Sequence, residues 1–298
     1  MSTSSTTRRD LLAASLAGLA ASSLPHSALA EKRRKPKVLF FTKSSGFEHG
    51  QIRRTSAKLG PAEIVLIELG KKHGFDVEAT KDGRIFDGDL GQYGGFVFYT
   101  TGDLTKPGND KQPPMTPKGK AALLAAVQAG KGFVGSHCAS DTFHTKGKRN
   151  ENQDEKDPYI AMLGGEFIVH GAQQKTTMRV SKSDFPGMAV AGEQFEMHEE
   201  WYALKNFAPD MQVLLVNETA GMTGKAYERP PFPATWARQH GKGRVFYTSM
   251  GHRADVWTNP IFQSILVGGI QWATGDLKAK ITPNIQQMTP KATTLGPS

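Results

Sequence analysis

Short apolar runs alternate with longer amphipathic segments along the first half of the chain. The runs are continuous enough for strands buried on both faces, and glycine, proline or polar turn residues bound them. The predicted strands of this half cover residues 37–42, 75–80, 95–101 and 131–136. Helical spacing fills residues 56–73 and a second segment that starts at Thr116-Pro117. The order β-α-β-β-α-β predicts a mostly parallel sheet flanked by helices.

The second half changes to short strands separated by turns. The predicted strands cover residues 176–181, 194–204, 211–216, 233–240 and 243–249, and a Gly-Lys-Gly turn joins the last two as a hairpin. A final helix opens at Asn259-Pro260. We therefore predict an α/β fold whose mostly parallel sheet has an antiparallel extension in the second half.

Residues 5–30 have the layout of a twin-arginine export signal. Arg8 and Arg9 precede an alanine-rich stretch that ends in Ala28-Leu29-Ala30. This stretch is too short to span a bilayer, and no other run approaches the roughly 18 apolar residues that a span needs. We predict cleavage near Ala30, a periplasmic or secreted protein, and no stable membrane insertion.

The expected organisation has three parts. Residues 1–30 form the signal, residues 31–275 form a single α/β domain, and residues 276–298 form a poorly ordered tail rich in threonine, lysine and proline. One cysteine, Cys138, excludes an intrachain disulfide although the predicted compartment is oxidising. The sequence carries no signal for an oligomeric partner.

The net charge of +9 comes from 37 Lys and Arg residues against 28 Asp and Glu residues. Much of the excess lies in basic stretches at residues 32–37, 146–149 and 278–291. These stretches lack the interleaved aromatic side chains of a single-strand binding groove. We therefore expect a solvated basic surface and no nucleic-acid partner.

Four histidines follow strand-like runs in polar loops marked by glycine: His49, His137, His170 and His252. Strand ends meet at one edge of an α/β sheet, so we expect these imidazoles to share a pocket. Neutral imidazoles bind zinc and other transition metals, and a carboxylate can complete the set. The predicted ligands of a divalent metal are His49, His137, His252 and Glu199.

A metal-free alternative uses the same pocket for proton transfer next to a carbonyl. His137 and His49 then act as general base and acid, and Glu200 orients one of them. The predicted substrate-binding side chains are Asp141, His170, Trp201, Tyr202 and Trp236. The alternative for the aromatic residues is core packing, for His170 a turn hydrogen bond, and for Asp141 helix or turn capping.

Several motifs in a fixed order resemble the ThuA-like (trehalose-utilisation) family. They are FTKSSGFEHGQI, GKGFVGSHCASDTF, LGGEFIVHGAQQ, HEEWY, PATWARQHGKGRVFYTSMGH and GGIQWATG, and they cover roughly residues 37–274. The resemblance implies a class I glutamine-amidotransferase-like fold of flavodoxin-like architecture without the amidotransferase nucleophile. It also implies a role in carbohydrate metabolism. The chain departs from the usual pattern at Cys138, where serine or alanine is expected, and at His198, where an acidic residue is common.

Three functions are compatible with this pattern. The first is an exported enzyme, a hydrolase, lyase or isomerase, which acts on a glycoside or an oxidised (keto) sugar through the histidine-rich site, with or without a metal. The second is a non-catalytic sugar-binding module. The third is a Cys138-dependent hydrolase, although His137 stands where an amidotransferase elbow has its cysteine, and neighbouring side chains in an extended segment point in opposite directions.

Overall fold

A nine-stranded mixed sheet organises the described part of the chain, which comprises residue 1 and residues 35–56, 58–182 and 184–297 of this computed structural model. The described residues from Lys35 onward belong to a single unit. Apart from Met1, the expected export signal lies outside the described residues. Among the described residues, no helix combines the length and the apolar character that crossing a membrane requires.

Strands and helices alternate along the described residues much as the sequence predicts. The strands are β1 (Lys37–Phe41), β2 (Asp76–Thr80), β3 (Gly95–Phe98), β4 (Gly132–Ser136), β5 (Glu166–His170), β6 (Gln174–Val180), β7 (Gln194–Glu199), β8 (Tyr202–Lys205), β9 (Gln212–Asn217), β10 (Phe232–His240) and β11 (Gly243–Thr248). The α-helices are α1 (Pro61–His73), α2 (Pro117–Gln128), α3 (Pro158–Leu163), α4 (Ala254–Trp257), α5 (Pro260–Ala273) and α6 (Ile285–Met288).

The sheet has a parallel half and an antiparallel half. The parallel half has the order β2-β1-β3-β4-β11, and the antiparallel half continues as β10-β9-β6-β7. α1 packs on β2, while α5 packs on β4 and β11. Strands β5 and β8 form a separate antiparallel pair. This architecture confirms the predicted α/β class with an antiparallel extension.

The predicted strand over residues 194–204 is two strands in the structure. β7 pairs with β6 in the main sheet, β8 pairs with β5, and Glu200 and Trp201 form the connection. The sequence does not reveal this break because residues 199–202 contain no glycine, proline, asparagine or aspartate to mark a turn. The break places Glu200 between the two sheets.

The loop after β1 carries His49 and is fastened to α1 by Glu63. The buried Glu63 carboxylate accepts hydrogen bonds from the Arg54 guanidinium (2.9 Å), the Thr42 hydroxyl (2.6 Å) and the Gly60 backbone N–H (2.8 Å). A carboxylate at the third position of a helix also compensates the positive end of the helix dipole. Glu63 therefore joins the end of β1, the His49 loop and the start of α1.

The C-terminal tail packs against the domain, whereas its composition predicts poor order. Ile285 of α6 and Ala292 are buried. Arg229 donates a hydrogen bond to the Ala292 carbonyl (2.7 Å), and the Asn284 side chain accepts one from the backbone of β9 (2.6 Å). These contacts are too widely spaced along the tail to produce a pattern in the sequence.

Candidate functional site

Three of the predicted histidines and one glutamate meet where the parallel strands end. His49 lies in the loop after β1, His137 directly follows β4, and His252 lies four residues beyond β11. Glu200 joins them from the connection between β7 and β8. One ligand atom of each residue lies within 4.8 Å of the others. We call this set the His/Glu cluster; its three histidines meet because β1, β3, β4 and β11 are neighbours in the sheet.

Three of the four ligand atoms form a nearly equilateral triangle. His252 Nδ1 is 3.0 Å from Glu200 Oε2 and 3.3 Å from His137 Nε2. His137 Nε2 is 3.7 Å from the same Glu200 oxygen. Ligands bound to a tetrahedral zinc ion at its usual bond lengths lie about 3.3 Å apart. These three atoms therefore have the spacing to share one ion, and the His49 ring lies close by, with its centroid 5.1 Å from that of His137.

The backbone fixes the tautomer of His137. Its Nδ1 is 3.0 Å from the Ser249 carbonyl oxygen, which can only accept a hydrogen bond. Nδ1 therefore carries a proton, and Nε2 is the ring nitrogen that faces the cluster. The left-handed backbone of His137 (φ 45°) turns this side chain sharply at the end of β4. The Ser136 hydroxyl ties the ends of β4 and β11 together by donating to the Met250 carbonyl (2.9 Å).

The charges of the cluster suit a divalent cation. Burial, together with the neighbouring His137 and His252, lowers the pKa of His49 to about 2, so this imidazole is neutral. Its Nδ1 has no hydrogen-bond partner among the described residues. Burial raises the pKa of Glu200, but hydrogen bonds with His137 and His252 outweigh burial and hold that pKa well below its usual range. A carboxylate whose pKa is lowered, together with imidazole nitrogens, is a ligand set that zinc takes in proteins.

Glu200, not Glu199, supplies the carboxylate of the cluster. The Glu199 carboxylate accepts hydrogen bonds from the backbone N–H groups of Gly251 (2.8 Å), His252 (3.0 Å) and Glu200 (2.8 Å). Glu199 therefore positions the loop that carries His252. The structure corrects the predicted ligand set at this residue because adjacent side chains at a strand end point in opposite directions.

Two of the predicted substrate-binding residues border the cluster. The Tyr202 ring lies 4.1 Å from the His137 ring, and its hydroxyl is 3.5 Å from His49 Nε2. His170 stacks on Tyr202, and its Nδ1 is 3.4 Å from Glu200 Oε1. The His170 side chain is 43% exposed, so it forms the accessible edge of the cluster.

The two predicted tryptophans lie in the core. Trp201 and Trp236 are fully buried. The Trp201 indole donates a hydrogen bond to the Gln174 carbonyl (3.0 Å), and the Trp236 indole donates one to the Leu163 carbonyl (2.9 Å). Neither ring offers a face to a sugar, so the structure replaces their predicted substrate role with core packing.

Asp141 belongs to a separate ionic network. Its Oδ1 is 2.7 Å from His144 Nε2 and 3.1 Å from the Arg149 guanidinium. On the other side of the ring, His144 Nδ1 is 3.1 Å from Glu166 Oε1. We call Asp141, His144, Arg149 and Glu166 the His144 network. Asp141 is thus engaged with protein side chains, in contrast to its predicted contact with substrate.

Neither the thiol of Cys138 nor the imidazole of His198 belongs to the His/Glu cluster. Cys138 is fully buried, and burial raises the pKa of its thiol well above the usual value. A nucleophilic cysteine needs an accessible thiolate, so this environment does not fit the Cys138-dependent hydrolase. His198 is exposed on β7, outside the cluster.

A polar cleft of about 400 Å³, which sequence reasoning missed, adjoins His252. Its lining includes Gln51, Gln173, Arg253 and Asp255. The Arg253 guanidinium binds both carboxylate oxygens of Asp255 (2.9 and 3.0 Å) and donates to Gln173 (2.8 Å). Gln51 and Gln173 are distant in sequence from the Arg253–Asp255 pair at the start of α4, so the four residues form no common pattern in the sequence.

Phe47 is a further residue that the sequence analysis missed. Its ring meets the His49 ring edge to face at 5.0 Å and is 64% exposed. The glycine before it and the histidine two residues later were the available signal, because exposed aromatic residues in glycine-marked loops often contact ligands.

Comparisons with known proteins agree on the architecture. The family model for ThuA, described as trehalose utilisation, matches residues 37–273. A ThuA-like protein from Bacteroides uniformis superposes with a TM-score of 0.60 at 20% identity, covering 81% of this chain and 92% of that chain. A ThuA-like protein from Parabacteroides merdae gives 0.55 at 20% identity, covering 88% and 97%. At this identity the two structures show the fold. No curated protein matches the chain.

Proposed function

We propose that this chain, which belongs to the ThuA (trehalose utilisation) family, is a carbohydrate-active enzyme. The His/Glu cluster would be its metal-dependent active site. Membership of the family suggests a carbohydrate-related role, and the residues of the His/Glu cluster support metal-dependent catalysis. The substrate class is a glycoside or an oxidised (keto) sugar. The observation that carries the proposal is the ligand set itself, in which one ligand atom from each of three imidazoles and one carboxylate lies within 4.8 Å of the others.

His49, His137, His252 and Glu200 are the residues that would hold the ion. Imidazole and carboxylate ligands suit zinc and other divalent transition metals. Such an ion supplies a Lewis acid that polarises a sugar carbonyl or lowers the pKa of bound water. The hydrogen bond from His137 Nδ1 to the Ser249 carbonyl provides the outer contact that orients a histidine ligand.

The remaining groups bind the sugar and move protons. His170 is accessible and contacts Glu200, so it is placed to exchange a proton with substrate at the edge of the cluster. The amides of Gln51 and Gln173 and the Arg253–Asp255 pair offer donors and acceptors to sugar hydroxyls. A general-acid role for His49 does not fit, because an imidazole whose pKa is lowered to about 2 is unprotonated near neutral pH.

Elemental mass spectrometry of protein purified without an affinity tag tests the metal. We expect close to one equivalent of a transition metal in the wild type. His137→Ala and His252→Ala should lose it, because each removes a ligand. His198→Ala is the matched control, since this histidine is exposed on β7, and it should retain the wild-type content.

Turnover of a panel of glycosides and keto sugars tests the chemistry in the same samples. Activity should disappear in His137→Ala and after chelation of the wild type, and it should return when metal is restored. Folded wild-type protein without metal, or metal content that is equal in His137→Ala and His198→Ala, would refute the proposed centre.

A further inference from the structure

A cavity of about 540 Å³ is lined by residues of β5, β8, two loops and the C-terminal tail. Its volume falls in the usual range of small-molecule sites, about 300–1,000 Å³. Among the described residues, its wall combines aliphatic with basic side chains and holds no aspartate or glutamate, so we call it the basic cavity. The aliphatic residues are Ile168, Val169, Ala203, Ala226, Leu295 and Pro297. The basic residues are Arg149, His170, Lys225 and Arg229, and Asn150 and three glycines complete the wall.

Two of the four basic groups are balanced by carboxylates that do not line the cavity. The Arg149 guanidinium is 3.1 Å from Asp141 Oδ1. His170 Nδ1 is 3.4 Å from Glu200 Oε1. These two groups therefore add little net positive charge to the cavity.

The other two basic groups have no carboxylate partner within the described part of the chain. Arg229 is only 7% exposed, and its guanidinium donates hydrogen bonds to the carbonyls of Leu204 and Ala292 (2.7 Å each). Its Nε has no hydrogen-bond partner among the residues described. Burial lowers the pKa of Arg229 to about 10, which keeps it a cation near neutral pH. Lys225 is exposed, and its ammonium makes no hydrogen bond or ion pair with the described residues.

The uncompensated charge and the aliphatic lining together define the ligand. A buried cation without an opposite charge is costly, and the two carbonyls bonded to Arg229 carry no net charge. An anion in the cavity would supply the missing charge. A small inorganic anion would leave the aliphatic lining uncovered, and the 45% exposed Val169 with it. The wall therefore suits a molecule with an anionic group and an apolar body.

We propose that the basic cavity binds a carboxylate that carries a hydrocarbon or aromatic group. The carboxylate would pair with Lys225 in the field of Arg229, and the apolar group would cover the aliphatic lining. This site goes beyond the proposed function, because no member of the His/Glu cluster lines the cavity. It also gives the docked C-terminal tail a role, since Leu295 and Pro297 form part of the wall.

Calorimetric titration with octanoate, octanamide and acetate tests the two parts of the ligand separately. Octanamide keeps the chain and lacks the charge, whereas acetate keeps the charge and lacks the chain. In the wild type we expect octanoate to bind about fivefold more tightly than octanamide. It should exceed acetate by up to about fourfold for each methylene that becomes buried. Octanoate that binds no better than either of the other two overturns the inference.

Lys225→Gln and Val169→Asp test where octanoate binds. Lys225→Gln should weaken octanoate by about fivefold and leave octanamide unchanged, a difference that a folding defect would not produce. Val169→Asp should also weaken octanoate, because the added carboxylate repels it. Lys242→Gln and Val190→Asp are the matched controls, since both residues are exposed and neither lines the cavity. Equal octanoate affinity in the two lysine variants contradicts the proposed site.

Chelation separates this inference from the proposed function, because a carboxylate can also bind a metal ion. Binding in the cavity should survive chelation of the wild type. Octanoate binding that disappears with the metal and survives Lys225→Gln would place the ligand at the metal centre and overturn this inference alone. Binding that depends on Lys225 in folded protein without metal would keep the cavity site and remove the proposed active site.

Discussion

His144 is held between two carboxylates, one on each ring nitrogen. Burial lowers its pKa, and the Arg149 charge acts in the same direction. Hydrogen bonds to Asp141 and Glu166 outweigh both, so the folded-state pKa of His144 lies above its usual value. Lys205 is the other charged group nearby, 3.9 Å from Glu166. The His144 imidazole thus links the loop after β4 to β5.

The stabilising effect of His144 should depend on pH. Because its pKa is raised on folding, its contribution is fully present below the unfolded value of about 6.5 and is lost as pH rises through the folded value. We expect His144→Gln to cost about 1–3 kcal/mol near pH 5.5 and clearly less near pH 9. Urea unfolding of both proteins at the two pH values measures this. His198→Gln, at an exposed position, should show little difference at either pH, and a His144→Gln deficit that grows with pH would contradict the assignment.

The positions of individual site residues were predictable only where the order of the strands determines them. His49, His137 and His252 were predictable because each follows a strand of the parallel half, and parallel strands end at one edge. The choice between Glu199 and Glu200 was not, since it depends on which of two neighbouring side chains faces the cluster. The identity of a side chain's hydrogen-bond partners, such as the two carboxylates beside His144, depends on the conformation of loops, which no local sequence pattern encodes.

At the scale of elements, the connection between β1 and α1 depends on one buried carboxylate. Glu63 contacts Arg54, Thr42 and Gly60, which lie on both sides of the His49 loop. Glu63→Ala should cost about 1.5–3 kcal/mol, because it removes hydrogen bonds to a charged carboxylate, while the Arg54 side chain, 28% exposed, keeps access to solvent. Chemical denaturation gives this difference in the free energy of unfolding.

Glu68→Ala is the control for Glu63→Ala on the same helix. Glu68 is exposed and pairs with Lys71, so we expect its removal to change stability by less than about 0.5 kcal/mol. Equal effects of the two substitutions would show that Glu63 does not hold the loop.

The elements themselves were largely predictable, for local reasons. Thr116 accepts a hydrogen bond from the Gly119 N–H at the start of α2, and Asn259 accepts one from the Ile261 N–H at the start of α5. Such caps depend on residues within one turn, so they are visible in the sequence. The break between β7 and β8 and the docking of the tail depend on distant partners, and the sequence pattern does not contain them.

At the scale of the whole molecule, the N-terminal sequence predicts the cellular location of the protein. We propose export through the twin-arginine motif at Arg8 and Arg9, which would place the protein in the periplasm or outside the cell. In Arg8→Lys/Arg9→Lys, the protein should remain in the cytoplasm, as measured by cell fractionation and immunoblotting. Arg33→Lys/Arg34→Lys, just after the motif, should be exported like the wild type. Unchanged export of the first variant would rule out this route.

The positions of the cluster residues along the chain also determine when the site can form. His49 follows the first strand and His252 the last, so no partly folded chain that lacks either end contains the full ligand set. An ion that binds only the complete sheet would stabilise it by mass action, by about 4 kcal/mol at a thousandfold excess over Kd. Contacts absent from the transition state slow unfolding without speeding folding. A bound ion would therefore slow unfolding after the sheet is complete and lengthen the lifetime of the folded protein.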